Sequence, residues 1–273
     1  MSTTTARART ATLVTVGPPA RLAEAAEVLS AVDQAGSLRH VLLSTAGSVP
    51  AAPALQDVTT VADLRPEFLD NALAALRLSS LPTVIWWRGG PPGTLQGVAA
   101  LADRVILDVE DPLPLWPAVR ALAGRTAVTD IRWARLTRWR AVMALMFDVP
   151  EVREASDGFD RLALSGTDAA QCRLFAGWLD ASLGWKGRVA VSIEDDGGAA
   201  PLARVRLGGG EVEVRLELLE NRVCLATEAR RGSRTLAARV VSLGDPALPA
   251  VLSEELRIRS RDAAFERALD YAV

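Results

Sequence analysis

Four short strand-like runs rich in apolar and β-branched residues, Ala11–Gly17, His40–Ser44, Pro82–Trp87 and Arg104–Asp108, alternate with segments of helical composition. This alternation restricts the fold more than any other feature. A strand that is apolar on both sides needs both faces covered, which crossover helices provide and a sheet with one wet face does not. Arg21–Val32 and Arg65–Leu78 read as two such helices, a Pro/Ala-rich loop runs from Val49 to Leu55, and Thr94 is placed to cap a helix through Ala102. The first half therefore predicts a Rossmann-like α/β domain built on a mainly parallel sheet.

From Thr129 to Phe147 a capping residue is followed by no breaker, so the spacing predicts one long helix. Leu136, Trp139, Met143, Met146 and Phe147 fall on one stripe, with Arg132 and Arg140 within or beside it. Beyond Pro150 the pattern changes. Asp168–Leu183 is amphipathic, with Cys172, Phe175, Trp178 and Leu179 on one side. Gly187–Ile193, Leu202–Leu207, Glu211–Leu218 and Arg222–Glu228 are strand-like and separated by glycine-rich turns. Val212, Val214, Leu216 and Leu218 alternate with Glu211, Glu213, Arg215 and Glu217, the signature of an antiparallel sheet with one wet face. A helix over Asp262–Tyr271 closes the chain. We expect two domains in these 273 residues, an α/β domain over 1–150 that ends in the Trp/Arg-rich helix, and a smaller α+β domain over 151–273.

Lys and Arg number 31 against 33 Asp and Glu, a net charge of −2, and neither half is basic, so no nucleic-acid partner is expected. No apolar run approaches the roughly 18 residues of a membrane span. Met1–Thr5 leads to Arg7 and Arg9 without a hydrophobic signal core, so a cytoplasmic location and no membrane partner are expected. Cys172 and Cys224 are too few and too far apart for a disulfide scaffold or a zinc site, and reduced thiols are expected.

The chain has one histidine, one lysine and one tyrosine, a poor inventory for catalysis. His40 begins an apolar strand and reads as a packing residue. No His/Cys/Asp/Glu group has metal-ligand spacing, so neither a metal nor a cofactor is expected. The first strand ends at Gly17-Pro18-Pro19, where a dinucleotide fold would show Gly-x-Gly-x-x-Gly, and proline removes the amides that cradle a pyrophosphate. Arg88-Gly89-Gly90-Pro91-Pro92-Gly93 follows the third strand, where open α/β sheets bind ligands. One reading makes it a simple turn; the other makes Ser44, Arg88, Gly89, Gly90 and Gly93 a sugar-phosphate or nucleotide site of an enzyme or sensor.

Four of the seven tryptophans lie in Trp86-Trp87-Arg88 and in the stretch containing Trp133, Arg135, Trp139 and Arg140. These seven residues are candidate partner-binding residues, because aromatic and arginine side chains combine desolvated area with planar hydrogen bonding. The other reading has the tryptophans filling a core and the arginines meeting carboxylates. A single-strand RNA platform uses the same residue types, but the balanced charge disfavours it.

These segments, in this order, resemble the OpcA family, the glucose-6-phosphate dehydrogenase assembly proteins. The resemblance rests on Arg9–Val16, Leu81–Trp87, Asp103–Asp108, Thr129–Arg140 with its Trp-x-Arg-Leu-Thr-x-Trp-Arg core, Ala176-Gly177-Trp178-Leu179 and Leu256–Leu269. It implies a non-catalytic protein that binds glucose-6-phosphate dehydrogenase and promotes its active oligomer, controlling flux into the oxidative pentose phosphate pathway. Members usually carry a helical segment ahead of the first strand, which here begins at Ala11. The thiol control associated with photosynthetic members is not carried over, since the two cysteines form no evident switch pair.

Overall fold

A computed structural model describes residues 9–34, 36–78, 80–198, 200–258 and 260–272. The opening Met1–Arg7, read above for a signal core, lies outside them. The chain forms two compact units, Met1–Ile131 with Ala247–Asp262, and Arg132–Pro246 with Ala263–Val273. The division falls after Ile131 rather than at Pro150, so the Trp/Arg helix is counted with the second unit. The reason lies in the sheets: the last strand of the first sheet ends at Asp130.

In the first unit β1 (Ala11–Gly17), α1 (Pro19–Val32), β2 (Leu38–Ser44) and β3 (Val58–Val61) lead to α2 (Leu69–Leu76), β4 (Thr83–Trp87), α3 (Leu95–Ala99), β5 (Arg104–Leu107), α4 (Trp116–Leu122) and β6 (Ala127–Asp130). Every strand pair is parallel and the order is β3-β2-β1-β4-β5-β6. The direction of winding reverses between β1 and β4, the switch point of a doubly wound fold. β1, β4, β5 and β6 are buried along their whole length. Thr94 does not cap a helix by its side chain; its hydroxyl donates to the Pro91 carbonyl at 2.7 Å.

His40, in β2, is 1% exposed, and its Nε2–H donates to Asp33 at 3.0 Å. The same carboxylate accepts from the Ser37 amide and hydroxyl and from the Leu38 amide, tying the α1–β2 turn together. Burial, opposed by Asp33, lowers the His40 pKa below its ordinary value of 6.5. Among the described residues Nδ1 has no partner, so a proton added there is left without an acceptor. The unfolded chain therefore binds that proton more readily than the fold. Stability contributed by neutral His40 is present above about pH 6.5 and is lost as pH falls through the lower folded value. Urea titrations at pH 7.5 and pH 5 are expected to show weaker folding at pH 5, and His40→Gln to flatten part of that difference; an unchanged slope for the variant refutes this.

The second unit begins with α5 (Ile131–Arg135) and α6 (Thr137–Met146), followed by α7 (Pro150–Ala155), β7 (Arg161–Ser165), α8 (Ala169–Leu183), β8 (Ala190–Glu194), β9 (Arg204–Gly209), β10 (Val212–Leu218), β11 (Cys224–Arg231) and β12 (Arg234–Ser242). The long helix expected from Thr129 starts two residues later, because Thr129 and Asp130 pair with Ile106 and Leu107 in the first sheet. It is also interrupted at Leu136, whose amide is shared between the Arg132 and Trp133 carbonyls. The second sheet has the order β12-β11-β10-β9-β7-β8 and is antiparallel except for the β7–β8 pair. That pair is parallel because α8 serves as its crossover.

Leu162, Leu164, Val205, Leu207, Val214, Leu216, Leu225 and Ala229 form the buried side of this sheet, on which α7 and α8 pack. Asp168 caps α8 by accepting from the Gln171 amide, and Gly184 ends it in the left-handed conformation. The chain returns to the first unit through α9 (Leu248–Glu255), which packs on α1, and finishes in the second with α10 (Ala263–Ala272) against α8. Arg104 fastens the return, donating to Glu255 at 2.5 Å and to the Ser260 carbonyl at 3.1 Å. Gly177 permits the α8–α10 contact: a Cβ there would stand 2.2 Å from the Ala268 carbonyl oxygen. Among the described residues no helix is long and apolar enough to cross a membrane.

Candidate functional site

The carboxyl ends of β1, β4 and β5 meet at the switch point, where the fold ordinarily receives a ligand. A cleft of about 410 Å³ lies there, bordered by Pro18, Arg21, Arg88, Gly89, Gly90 and Asp111 among others. Arg88 follows β4 and its side chain is 2% exposed. Its Nε donates to Asp108 at 2.9 Å, one terminal nitrogen to the Arg21 carbonyl at 2.7 Å and the other to Glu24 at 3.1 Å. Its guanidinium also lies 4.6 Å from the centre of the Trp86 ring. Arg21 donates to Glu24 at 3.0 Å and to the Asp108 carbonyl at 3.0 Å. Burial, stronger than the pull of Asp108, lowers the Arg88 pKa.

Of the ligand reading's Ser44, Arg88, Gly89, Gly90 and Gly93, the cleft is bordered by Arg88, Gly89 and Gly90. Every nitrogen of the Arg88 fork is already engaged within the protein. Ser44 is buried and donates to the Ala46 carbonyl at 2.7 Å, and neither it nor Gly93 borders the cleft. Gly90, at φ +157°, serves packing: a Cβ would come within 2.7 Å of the Trp87 ring. Pro18 and Pro19 open α1 without amide hydrogens, and Glu110 and Asp111 add negative charge at the rim. The geometry thus disfavours a phosphate where a dinucleotide fold would hold one.

The seven candidate partner-binding residues are divided between the units, Trp86, Trp87 and Arg88 in the first and Trp133, Arg135, Trp139 and Arg140 in the second. Trp86 and Trp87 are fully buried because both faces of β4 are covered. Trp133 is 1% and Trp139 4% exposed. The Arg140 guanidinium lies 3.5 Å from the centre of the Trp133 ring, which meets Phe265 of α10 at 5.6 Å. Leu136, Trp139, Met143 and Met146 form the expected apolar stripe, whereas Phe147 is half-buried against Phe159. Arg132 donates to Asp168 at 2.7 Å, coupling the helix to the α8 cap. Arg135 and Arg140 are half-buried. None of the four tryptophans therefore offers a contact surface in this structure; they fill the cores of their units.

Asp108, Glu24, Arg21 and Asp168, the partners of these arginines, were not legible as site residues. Asp108 alone carried a signal, as the carboxylate ending an apolar strand. Cys172 is buried and its thiol is pushed up to about 12, by burial first and then by Asp168 and Asp196, so it is an inert thiol at neutral pH. Among the described residues no group of His, Cys, Asp and Glu is arranged to hold a metal ion.

The chain is thus a doubly wound α/β unit whose switch point carries its own ion pairs, joined to a unit built on a mixed sheet. Residues 126–269 match the family described as the C-terminal domain of the glucose-6-phosphate dehydrogenase subunit. The chain belongs to this family, the OpcA family. It is 24% identical over 249 residues to the OxPP cycle protein OpcA of Nostoc punctiforme, a match covering 74% of this chain and 53% of that one. It is 29% identical over 131 residues to the OxPP cycle protein OpcA of Synechocystis sp., covering 44% and 27%. The chain thus spans about half or less of the curated relatives' length. The crystal structure of a super-repressor mutant of Gal80p from Saccharomyces cerevisiae superposes with a TM-score of 0.50 at 9% identity, covering 90% of this chain and 82% of that one. This last likeness is one of fold alone.

Proposed function

We propose that the protein is a non-catalytic, cytoplasmic assembly factor that binds glucose-6-phosphate dehydrogenase, promotes its active oligomer and so controls flux into the oxidative pentose phosphate pathway. The observation that carries this reading is the family match over the second unit, including the Trp/Arg helix. The occupied switch point supports it, since Arg88 is bound internally to Asp108 and Glu24. The buried tryptophans act by holding the surfaces of their own units in shape, and partner contact falls to exposed neighbours of Arg135 and Arg140.

Activation of this kind is linkage: a protein that binds the active oligomer more tightly than the inactive one shifts the population by its differential affinity and no more. A difference of about 1–3 kcal/mol corresponds to roughly 5- to 150-fold. Glucose-6-phosphate-dependent NADP reduction by the same organism's dehydrogenase, followed with and without this protein, is expected to rise by about 5-fold or more. Light scattering of the mixture is expected to show a heavier complex. No complex and no change in rate would falsify the proposal.

A further inference from the structure

The wet face of the second sheet carries a positive island that the proposed function leaves unused. Strand register places Arg206 of β9 directly opposite Arg215 of β10. Arg161 of β7 stands diagonally across from Arg206, and Arg230 of β11 lies opposite Glu213. Like charges directly opposite on neighbouring strands have Cβ atoms only about 5 Å apart and destabilise a sheet unless an anion lies nearby. The four arginines border a concavity of about 550 Å³ floored by Gly208, over which the Arg161 guanidinium reaches: a Cβ added at Gly208 would lie 3.9 Å from it.

Within the lining, Glu211 and Glu213 offset two of the four guanidiniums. Glu213 takes Arg215 in a two-pronged pair at 2.6 and 2.8 Å. The Arg215 hydrogen bond, aided by the charges of Arg206 and Arg230, holds the Glu213 carboxyl below its usual range. Among the described residues Arg161 pairs only with the exposed Asp160, at 3.2 Å, and Arg230 is 3.6 Å from Glu228. Among the described residues Arg206 has no ion-pair partner. The lining carries four guanidiniums against two carboxylates, with Asp160 and Glu228 at its edge, on a chain of net charge −2.

We propose that this concavity is a binding site for a multiply charged anion, gripped by Arg161, Arg206 and Arg230 over the bare backbone of Gly208. Planar guanidinium forks match the paired oxygens of phosphoryl and carboxylate groups, and the missing side chain at Gly208 lets the anion approach the sheet. The Glu213–Arg215 pair adds no net charge, so a ligand is held by the other arginines, which favours one reaching two or three of them at once.

Isothermal titration of this chain alone with tripolyphosphate and, separately, with a short oligo-aspartate peptide tests the site. Saturable binding is expected with at least one probe, weakened about 10-fold or more by Arg206→Gln and by Arg161→Gln, and weakened again in about 0.3 M salt. Arg204→Gln, at a residue paired with Glu217 at 2.8 Å outside the concavity, is expected to bind as the wild type does. Preference for tripolyphosphate assigns the site to a small polyphosphate, and preference for the peptide to an acidic protein segment. If neither probe binds, or if Arg206→Gln binds unchanged, the site is overturned. Thermal melts report folding separately: Arg206 is exposed, and removing one of two opposed like charges is expected to leave the melting temperature level or raise it.

Discussion

Arg88→Ala is expected to destabilise the first unit by about 3–5 kcal/mol, because it strips the partner from a buried carboxylate instead of removing a surface charge. Asp108 is only 10% exposed and has Arg88 Nε at 2.9 Å, while Arg21, its other cation, keeps its nearest nitrogen 3.7 Å from the carboxylate. Glu24 is over half exposed and water screens its loss, so most of the cost belongs to Asp108 and to the unfilled space under Trp86. The double variant Arg88→Met/Asp108→Leu separates the two causes. If an orphaned charge dominates, the double variant recovers most of the stability, since apolar replacement of a buried pair is often close to neutral. Denaturant unfolding measures both, and a loss below about 1 kcal/mol for Arg88→Ala would show that solvent reaches the network.

Trp139→Ala is expected to cost about 3–5 kcal/mol through the cavity it opens, while activation of the dehydrogenase per folded molecule stays close to wild type. The side chain is 4% exposed on the stripe with Leu136, Met143 and Met146, so its area is buried within this chain before any partner arrives. A contact residue behaves in the opposite way, losing activation with little change in folding. Unfolding by near-ultraviolet circular dichroism, combined with the coupled NADP assay below the variant's melting range, distinguishes the two. Retained stability with lost activation would return Trp139 to the partner surface.

Local sequence made much of the architecture legible. β1, β2, β4 and β5 stood out because a strand buried on both faces must be apolar at successive positions, and β10 because a half-buried strand must alternate. Two edge strands, β3 and β12, carry neither signal. β3 has only Val58–Val61, and β12, exposed along much of its length, reads Arg-Thr-Leu-Ala-Ala-Arg-Val-Val-Ser without a period. β6 was hidden because Thr129 and Asp130 are equally good as helix caps; only pairing with Ile106 and Leu107 makes them strand.

The sequence by itself determined the two fold classes, the thin catalytic inventory and the family, since all three depend on residue types and on spacing along the chain. Only the tertiary structure decided what the conspicuous side chains do. Arg88 meets Asp108 across 20 positions and Glu24 across 64, Arg104 meets Glu255 across 151, and Arg206 faces Arg215 through strand register. Such pairings are set by how strands order and helices return, a property of the folded sheet that no local window of residues contains. The same rule governs burial: Trp86 and Trp139 offer the same indole to the reader of a sequence, and whether it faces a partner or a core depends on what covers the strand or helix that carries it.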